Sequence, residues 1–298
     1  MKKRILASVL TTLMLLTILP TEAFAVEDNI GIAPYGVQKV MDVATTQAPS
    51  TQSDSPEDTS TSAVYLDSTS GDDAQDGKTA DKAVKTLTKA FEIADDGGTI
   101  YLLSDIVLPS ETVLSGDKSI TLAGKAGETA KKITYTKDTS TTSTDLYMIE
   151  VGVEYGTATK TKLTLENVTI DAEAQDIRCV RVCPESTLTL ENKATVCNGR
   201  AVHADYATGT NDWGGGIVVD STAKLIMNEG SAVTDCSAEQ GGGIYLSGEM
   251  ELNGGMLSGN TAVGDHFGTS LSRSAHGGAI LIRANRADYD ESYDVPAK

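Results

Sequence analysis

A short unit recurs along the second half of this chain, and it leaves few folds open. Leu163-Thr164-Leu165-Glu166-Asn167 returns 25 residues later as Leu188-Thr189-Leu190-Glu191-Asn192. Leu225-Ile226-Met227-Asn228 and Met250-Glu251-Leu252-Asn253 are the same unit, again 25 apart. A second apolar position follows each, at Ile170, Val196, Val233 and Leu257. Glycines then announce a third strand, in Gly214-Gly215-Gly216-Ile217, Gly241-Gly242-Gly243-Ile244 and Gly277-Gly278-Ala279-Ile280. Several apolar strands of two or three residues per period, joined by Asn, Gly and Ser turns, predict a β-solenoid. Coils then stack at about 4.8 Å, Leu over Leu and Ile over Ile, because one coil cannot bury its apolar row alone. A leucine-rich repeat would need an apolar helical arc, which Gly-Gly-Gly-Ile does not supply. Aromatics at 5% fit a narrow lumen better than a broad globular core.

Upstream, Val64-Tyr65-Leu66 reads as a strand and residues 70–77 as a turn-rich link. Val84, Leu87, Phe91 and Ala94 fall on one face of a 3.6-residue period, predicting a helix capped by Thr79 or Asp81 and stopped by Gly97-Gly98. A lone amphipathic helix in a β chain is expected to cover an open end of the solenoid. Residues 63–98 are thus an N-terminal cap, and 99–298 the parallel β-helix. The end of the chain, Asp294 to Lys298, reads as a stop within that architecture.

The first residues have a different purpose. Lys2, Lys3 and Arg4 precede an apolar run from Ile5 to Leu19, and Ala23-Phe24-Ala25 is a small-x-small site. This predicts a secretory signal peptide over 1–25, cleaved after Ala25. Removing three basic residues and Glu22 takes the net charge from -18 to −20. Residues 26–62, with the Thr-, Ser- and Pro-rich run from Thr45 to Asp58, cannot bury enough apolar surface to order themselves and read as a spacer. No further apolar run of membrane length is present. So acidic a chain excludes nucleic acid as partner, since phosphates call for Lys and Arg, and disfavours docking on anionic membranes. A monomer is expected.

With these motifs in place, the chain resembles the pectin-lyase-like right-handed β-helix superfamily, in particular adhesin-like surface proteins of Gram-positive gut bacteria. The resemblance rests on Val64-Tyr65-Leu66-Asp67, Gly71-Asp72-Asp73, Asp76-Gly77, Thr86-Leu87, Ala90 and Gly97-Gly98-Thr99-Ile100-Tyr101-Leu102. It rests also on the run from Met250 to Ala262. It covers about residues 64–285 and implies an all-β, right-handed parallel β-helix. It is weak for function, because such a fold hosts lyases, hydrolases and non-enzymatic adhesins alike.

A glycosidase needs two carboxyls roughly 5–10 Å apart across the scissile bond. In a solenoid these would be acids at matching outward positions of successive coils. The outward rows read as Thr164, Thr189, Ile226 and Glu251, and as Val218, Tyr245 and Leu281; neither pairs two acids. Asp72-Asp73 and Asp95-Asp96 read as solvated turn acids. No cofactor is called for; calcium in the Asp72-to-Asp76 turn would lack the ligand count of a recognised loop.

One asymmetry singles out a surface. Val233 to Ile244 is a link of 11, whereas Val196 to Ile217 (21) and Leu257 to Ile280 (23) carry insertions. Both leave the same corner, two coils apart. They hold every histidine (His203, His266, His276), the one Trp (Trp213), and Tyr206 and Phe267. These six are the candidate ligand-binding residues, suited to a glycan or to a surface component of a host or community. Loops also accept insertions without any ligand, and that reading stays open. Histidine spacing matches no metal motif. Cys179, Cys183, Cys197 and Cys236 read as small buried thiols, with a Cys197–Cys236 bridge as the alternative. The expectation is an exported adhesin or scaffold, glycan-binding. A polysaccharide lyase or glycoside hydrolase, or a ligand-free stalk, stands as an alternative.

Overall fold

The computed structural model describes residues 62–136, 147–153, 156–201, 213–264 and 276–283. Strand β1 (Ala63–Leu66) comes first, followed by a 3-10 turn at Ala80–Lys82 and helix α1 (Leu87–Ile93). Six coils follow. The first holds β2 (Thr99–Leu102), β3 (Ile106–Leu108) and β4 (Thr112–Leu114). The second holds β5 (Ser119–Gly124), β6 (Lys131–Tyr135) and β7 (Tyr147–Val151), and the third β8 (Lys162–Glu166), β9 (Val168–Asp171) and β10 (Arg178–Val182). From the fourth coil a short extra strand appears: β11 (Thr187–Leu190), β12 (Thr195–Cys197), β13 (Arg200–Ala201), β14 (Ile217–Val219). The fifth is β15 (Lys224–Met227), β16 (Ala232–Thr234), β17 (Ser237–Ala238) and β18 (Ile244–Leu246). The sixth is β19 (Glu249–Leu252), β20 (Met256–Ser258), β21 (Thr261–Ala262) and β22 (Ile280–Ile282).

Each position in the coil stacks on its equivalent in the next. Sheet A runs β1-β2-β5-β8-β11-β15-β19, sheet B β3-β6-β9-β12-β16-β20, sheet C β4-β7-β10-β14-β18-β22, and sheet D β13-β17-β21. Pairing is parallel in all four. This is a parallel β-helix. The right hand is the one expected when a right-twisted strand crosses over to a parallel neighbour.

The repeated residues form the interior ladders. Ile120, Leu163, Leu188, Leu225 and Met250 stack in register in sheet A. Ile106, Ile133, Ile170, Val196, Val233 and Leu257 do so in sheet B. Ile149, Val180, Ile217, Ile244 and Ile280 complete the lumen in sheet C. Each fully buried aliphatic side chain contributes roughly 1.5–3 kcal/mol, so the ladders dominate the stability.

The glycine triplets answer to sheet D. The backbone of β17 lies so close that a Cβ on Gly215 would collide with the carbonyl oxygen of Ser237, and one on Gly242 with that of Thr261 in β21. The leading glycines Gly214, Gly241 and Gly277 turn the chain at φ of 64°, 63° and 62°, a left-handed conformation that glycine adopts without a steric penalty.

The helix is shorter than its period suggested and is capped elsewhere. Val84 is not helical; it bridges Leu66 in parallel. Thr79 precedes the 3-10 turn without a side-chain cap bond, and Asp81 lies within it. The cap of α1 is Thr86, whose Oγ1 accepts from the Lys89 N–H at 3.2 Å. Asp73 holds this cap from outside, its Oδ1 accepting from the N–H groups of Lys85 (2.8 Å) and Thr86 (2.9 Å). The helix ends at Ile93 with Ala94 extended, so Gly97 (φ 78°) shapes the turn into β2 rather than the helix end. All four periodic residues are nonetheless buried in the same core. Leu87 and Phe91 reach it from the helix, Val84 and Ala94 from its flanks. Helix α1 packs against β1 and β4, end strands of sheets A and C. No described helix is long and apolar enough to cross a membrane.

The acids read as solvated turn residues are exposed or half-buried, and they also accept backbone hydrogen bonds. Asp72 Oδ1 accepts from Ala74 N–H, Asp76 Oδ1 from Lys78 N–H, and Asp96 Oδ1 from Ser119 N–H. Among the described residues no cluster of three or more His, Cys, Asp or Glu could hold a metal ion. None of the four cysteines is in a disulfide, and all are buried. A Cys197–Cys236 bridge does not form. Strand register sets Cys197 between Asp171 and Thr234, and Cys236 lies two residues further on, packed in the core. Burial pushes the Cys197 thiol up to about 12, helped by the neighbouring Asp171 carboxylate.

Candidate functional site

The outer face of sheet C carries the chemistry. Its outward row runs, in register, Val113, Glu150, Arg181, Val218, Tyr245 and Leu281. The glycine-marked half of this row carries no acid, as read from the sequence. Two coils earlier the same row turns charged, and this was not foreseen. Arg181 Nε donates to Asp220 Oδ2 at 2.9 Å, and its Nη1 lies 3.7 Å from Glu150 Oε1. Side-chain exposures of 12% for Arg181, 14% for Glu150 and 20% for Asp220 make this a shielded trio rather than a solvated surface pair. Both Arg181 and Arg178 set their guanidinium groups over the Tyr147 ring, 5.4 and 5.3 Å from its centroid. Arg178 is buried and its Nε donates to the Trp213 carbonyl oxygen at 2.9 Å.

Beside the trio the face becomes aromatic. Tyr147, Val218 and Tyr245 form a small apolar cluster outside the lumen, with Trp213 and Leu281 packed on it. Trp213 stacks on Tyr245 with centroids 4.6 Å apart and planes 12° from parallel. The Arg283 guanidinium sits 4.9 Å from the Trp213 centroid, and its Nη1 donates to the Tyr245 hydroxyl at 2.9 Å. Guanidinium over indole is a favourable cation–π geometry.

Of the six residues proposed from the sequence, Trp213 and His276 are described; His203, Tyr206, His266 and Phe267 lie outside the described residues. Trp213 and His276 stand where the chain returns from the two insertions, and each forms a parallel bridge with Gln240. The Gly214 N–H donates to Gln240 O, and the Gly241 N–H to His276 O. The returns of the two insertions are therefore in register, one coil either side of Gln240 and about 10 Å apart. His276 is exposed. Trp213 lies at this corner with Tyr245 and Arg283 on its ring.

The trio and Arg283 had a signal that was passed over. Glu150 and Arg181 follow from extending the outward row two strands upstream. Asp220 is the residue after β14, and Arg283 the residue after β22.

No family model matches the sequence, and no curated protein matches it. Among solved structures, the chain is similar to a rhamnogalacturonan lyase at a TM-score of 0.34 and 14% identity, over 74% of this chain and 66% of that one.

Proposed function

We propose that this is an exported protein, secreted or held at the cell wall, in which the β-helix acts as an adhesin or scaffold that binds glycan. The supporting observation is the row Trp213, Gln240, His276. It lines up the returns of both insertions beside a face bearing Tyr245, Arg283 and the Arg181 trio. A repeat protein with insertions on one face commonly binds there. Aromatic rings with a few fixed polar donors suit sugars, which offer apolar C–H faces and many hydroxyl acceptors. The leader-like segment at 1–25 supports export.

A second reading, polysaccharide lyase or glycoside hydrolase, draws on the Glu150–Arg181–Asp220 trio, since it places carboxylates and a cation on one face. Against it, Arg181 engages both carboxylates, leaving neither poised as a general base. A glycan array with the chain after Ala25, run beside reducing-sugar and unsaturated-product assays, separates the two. Binding without turnover, weakened by Trp213→Phe, is the expected outcome. Turnover abolished by Glu150→Gln would replace this reading with the enzyme. Silence in both assays would leave a stalk without a ligand.

A further inference from the structure

Two Asn-Gly steps occur in the chain, Asn198-Gly199 and Asn253-Gly254. Such a step can cyclise without a catalyst. The glycine nitrogen loses its proton and attacks the side-chain carbonyl carbon of the asparagine; a C–N bond forms and ammonia leaves. Water then opens the five-membered imide at either carbonyl, giving aspartate or isoaspartate. Water is consumed, ammonia is released, and nothing is oxidised or reduced. Glycine favours the step because no Cβ shields its nitrogen or narrows its backbone freedom. The fold treats the two steps differently. Asn198 is half-buried and Gly199 buried. The Asn198 amide donates to Asp171 Oδ1 at 2.8 Å, and the Gly215 carbonyl oxygen of the same coil presses so closely on Gly199 that not even a Cβ would fit. Swinging the amide round to the glycine nitrogen would break a shielded bond in a closed space. Asn253 is exposed, in the bend that follows β19. Its amide bond to Asn228 is exposed too, so water can replace it. Among the described residues the Gly254 N–H makes no hydrogen bond that would hold it back from attack.

We infer that Asn253 is a site of spontaneous deamidation, and that its conversion unfastens the sixth coil. This is independent of what the β-helix binds. Asn253 ends a relay across three coils: its Nδ2 donates to Asn228 Oδ1 at 3.0 Å, and Asn228 Nδ2 donates to Glu191 Oε1 at 2.8 Å. A carboxylate in place of the amide has no proton to donate, so two acceptors would face each other. Turning the Asn228 amide over would satisfy the new carboxylate only by withdrawing Nδ2 from Glu191. The new negative charge also stands over Glu229, whose Cα lies against Gly254. Isoaspartate goes further. It routes the main chain through the former side chain and adds a backbone atom between β19 and β20, whose Met256–Ser258 must stay in register with Ala232–Thr234.

The test ages the whole folded chain at neutral and at mildly alkaline pH and maps its peptides by mass spectrometry. The peptide holding Asn253 is expected to convert about 10-fold faster or more than the one holding Asn198, as a modest difference in barrier suffices for that. Conversion should quicken as pH rises, because the attacking nitrogen must lose its proton. Asn253→Gln keeps an amide but cannot close the five-membered ring, so it should abolish conversion at this position and leave Asn198 as before. Hydrogen exchange then compares the aged chain with fresh chain and with Asn253→Gln aged alongside. Amides of Met256–Ser258 are expected to exchange faster in the aged chain alone. No conversion at Asn253, or equal rates at Asn198 and Asn253, would overturn the site. Conversion at Asn253 with unchanged exchange at Met256–Ser258 would overturn the unfastening of the coil.

Discussion

Gly242 shows how narrowly single positions are set in this molecule. A methyl group there would meet the Thr261 carbonyl oxygen, a backbone atom that cannot swing aside. Gly242→Ala is therefore expected to cost about 1–3 kcal/mol, the range for overpacking a closed site. Urea unfolding of the two chains, at equal slope, measures it. An unchanged midpoint would mean that sheet D moves freely against the glycine triplets. Arg181 is constrained in another way. It stands between Glu150 and Asp220 while packing on Tyr147, so it joins three coils through polar contacts outside the lumen. Asp67 shows the same logic in a turn: hydrogen bonds from Ser70, chiefly its side chain, and from Thr69 hold its carboxyl down at about 2 despite partial burial.

At the scale of elements, the cap of α1 distinguishes the sequence reading from the structure. Thr86→Ala should cost about 1 kcal/mol, because it removes the acceptor for the Lys89 N–H and the hydroxyl donated to Asp73. Thr79→Ala should cost almost nothing, since no cap bond is made there. Thermal melts of both variants check this, and a larger loss at Thr79 would reverse the assignment. The sequence made the interior ladders legible, because Leu-x-Leu alternation has to stay in register to bury its face. It made the helix legible only in part, since residues beside a short helix can reach the same core as residues within it. The third strand was legible in coils four to six alone. There, β17 and β21 press on the backbone at Gly215 and Gly242 and require glycine. Among the described residues of coils two and three no strand of sheet D is present, and Tyr147-Met148 and Arg178-Cys179 stand where Gly215-Gly216 and Gly242-Gly243 stand later. With no glycine to announce those strands, the charged half of the outward row stayed out of view.

Across the whole molecule, charge is unevenly used. The chain is strongly acidic, yet Arg178, Arg181 and Arg283 all stand on or beside sheet C, where Arg181 is paired with Glu150 and Asp220. Cohesion between coils comes from stacked side chains and parallel ladders, without a disulfide among the four thiols. The Cys179 thiol donates to the Cys197 carbonyl oxygen at 3.3 Å and the Cys236 thiol to that of Thr234 at 3.2 Å. The two lie in the third and fifth coils and meet across Gly199 and Gly216 of the fourth, where any Cβ would press on Cys179 Sγ or Cys236 Sγ. Two coils span about 10 Å at sheet spacing, beyond the roughly 4.4–6.8 Å between Cα atoms that a disulfide accepts. Melting temperature is therefore expected to be the same with and without a thiol reductant, and four thiols should titrate after denaturation. A drop on reduction would reveal a bridge that the fold's geometry forbids.

The same missing bridge bears on mechanics. A solenoid riveted coil to coil would fail abruptly under tension, all at once and at high force. Here each coil is fastened to its neighbours by hydrogen-bond rungs, interlocked side chains and a few ion pairs such as Lys132–Asp171, and each neighbour contact contributes separately. Pulled from one end, such a rod would give way like a zip, one coil at a time. It would dissipate work over a long extension, and it would close again when the load is released.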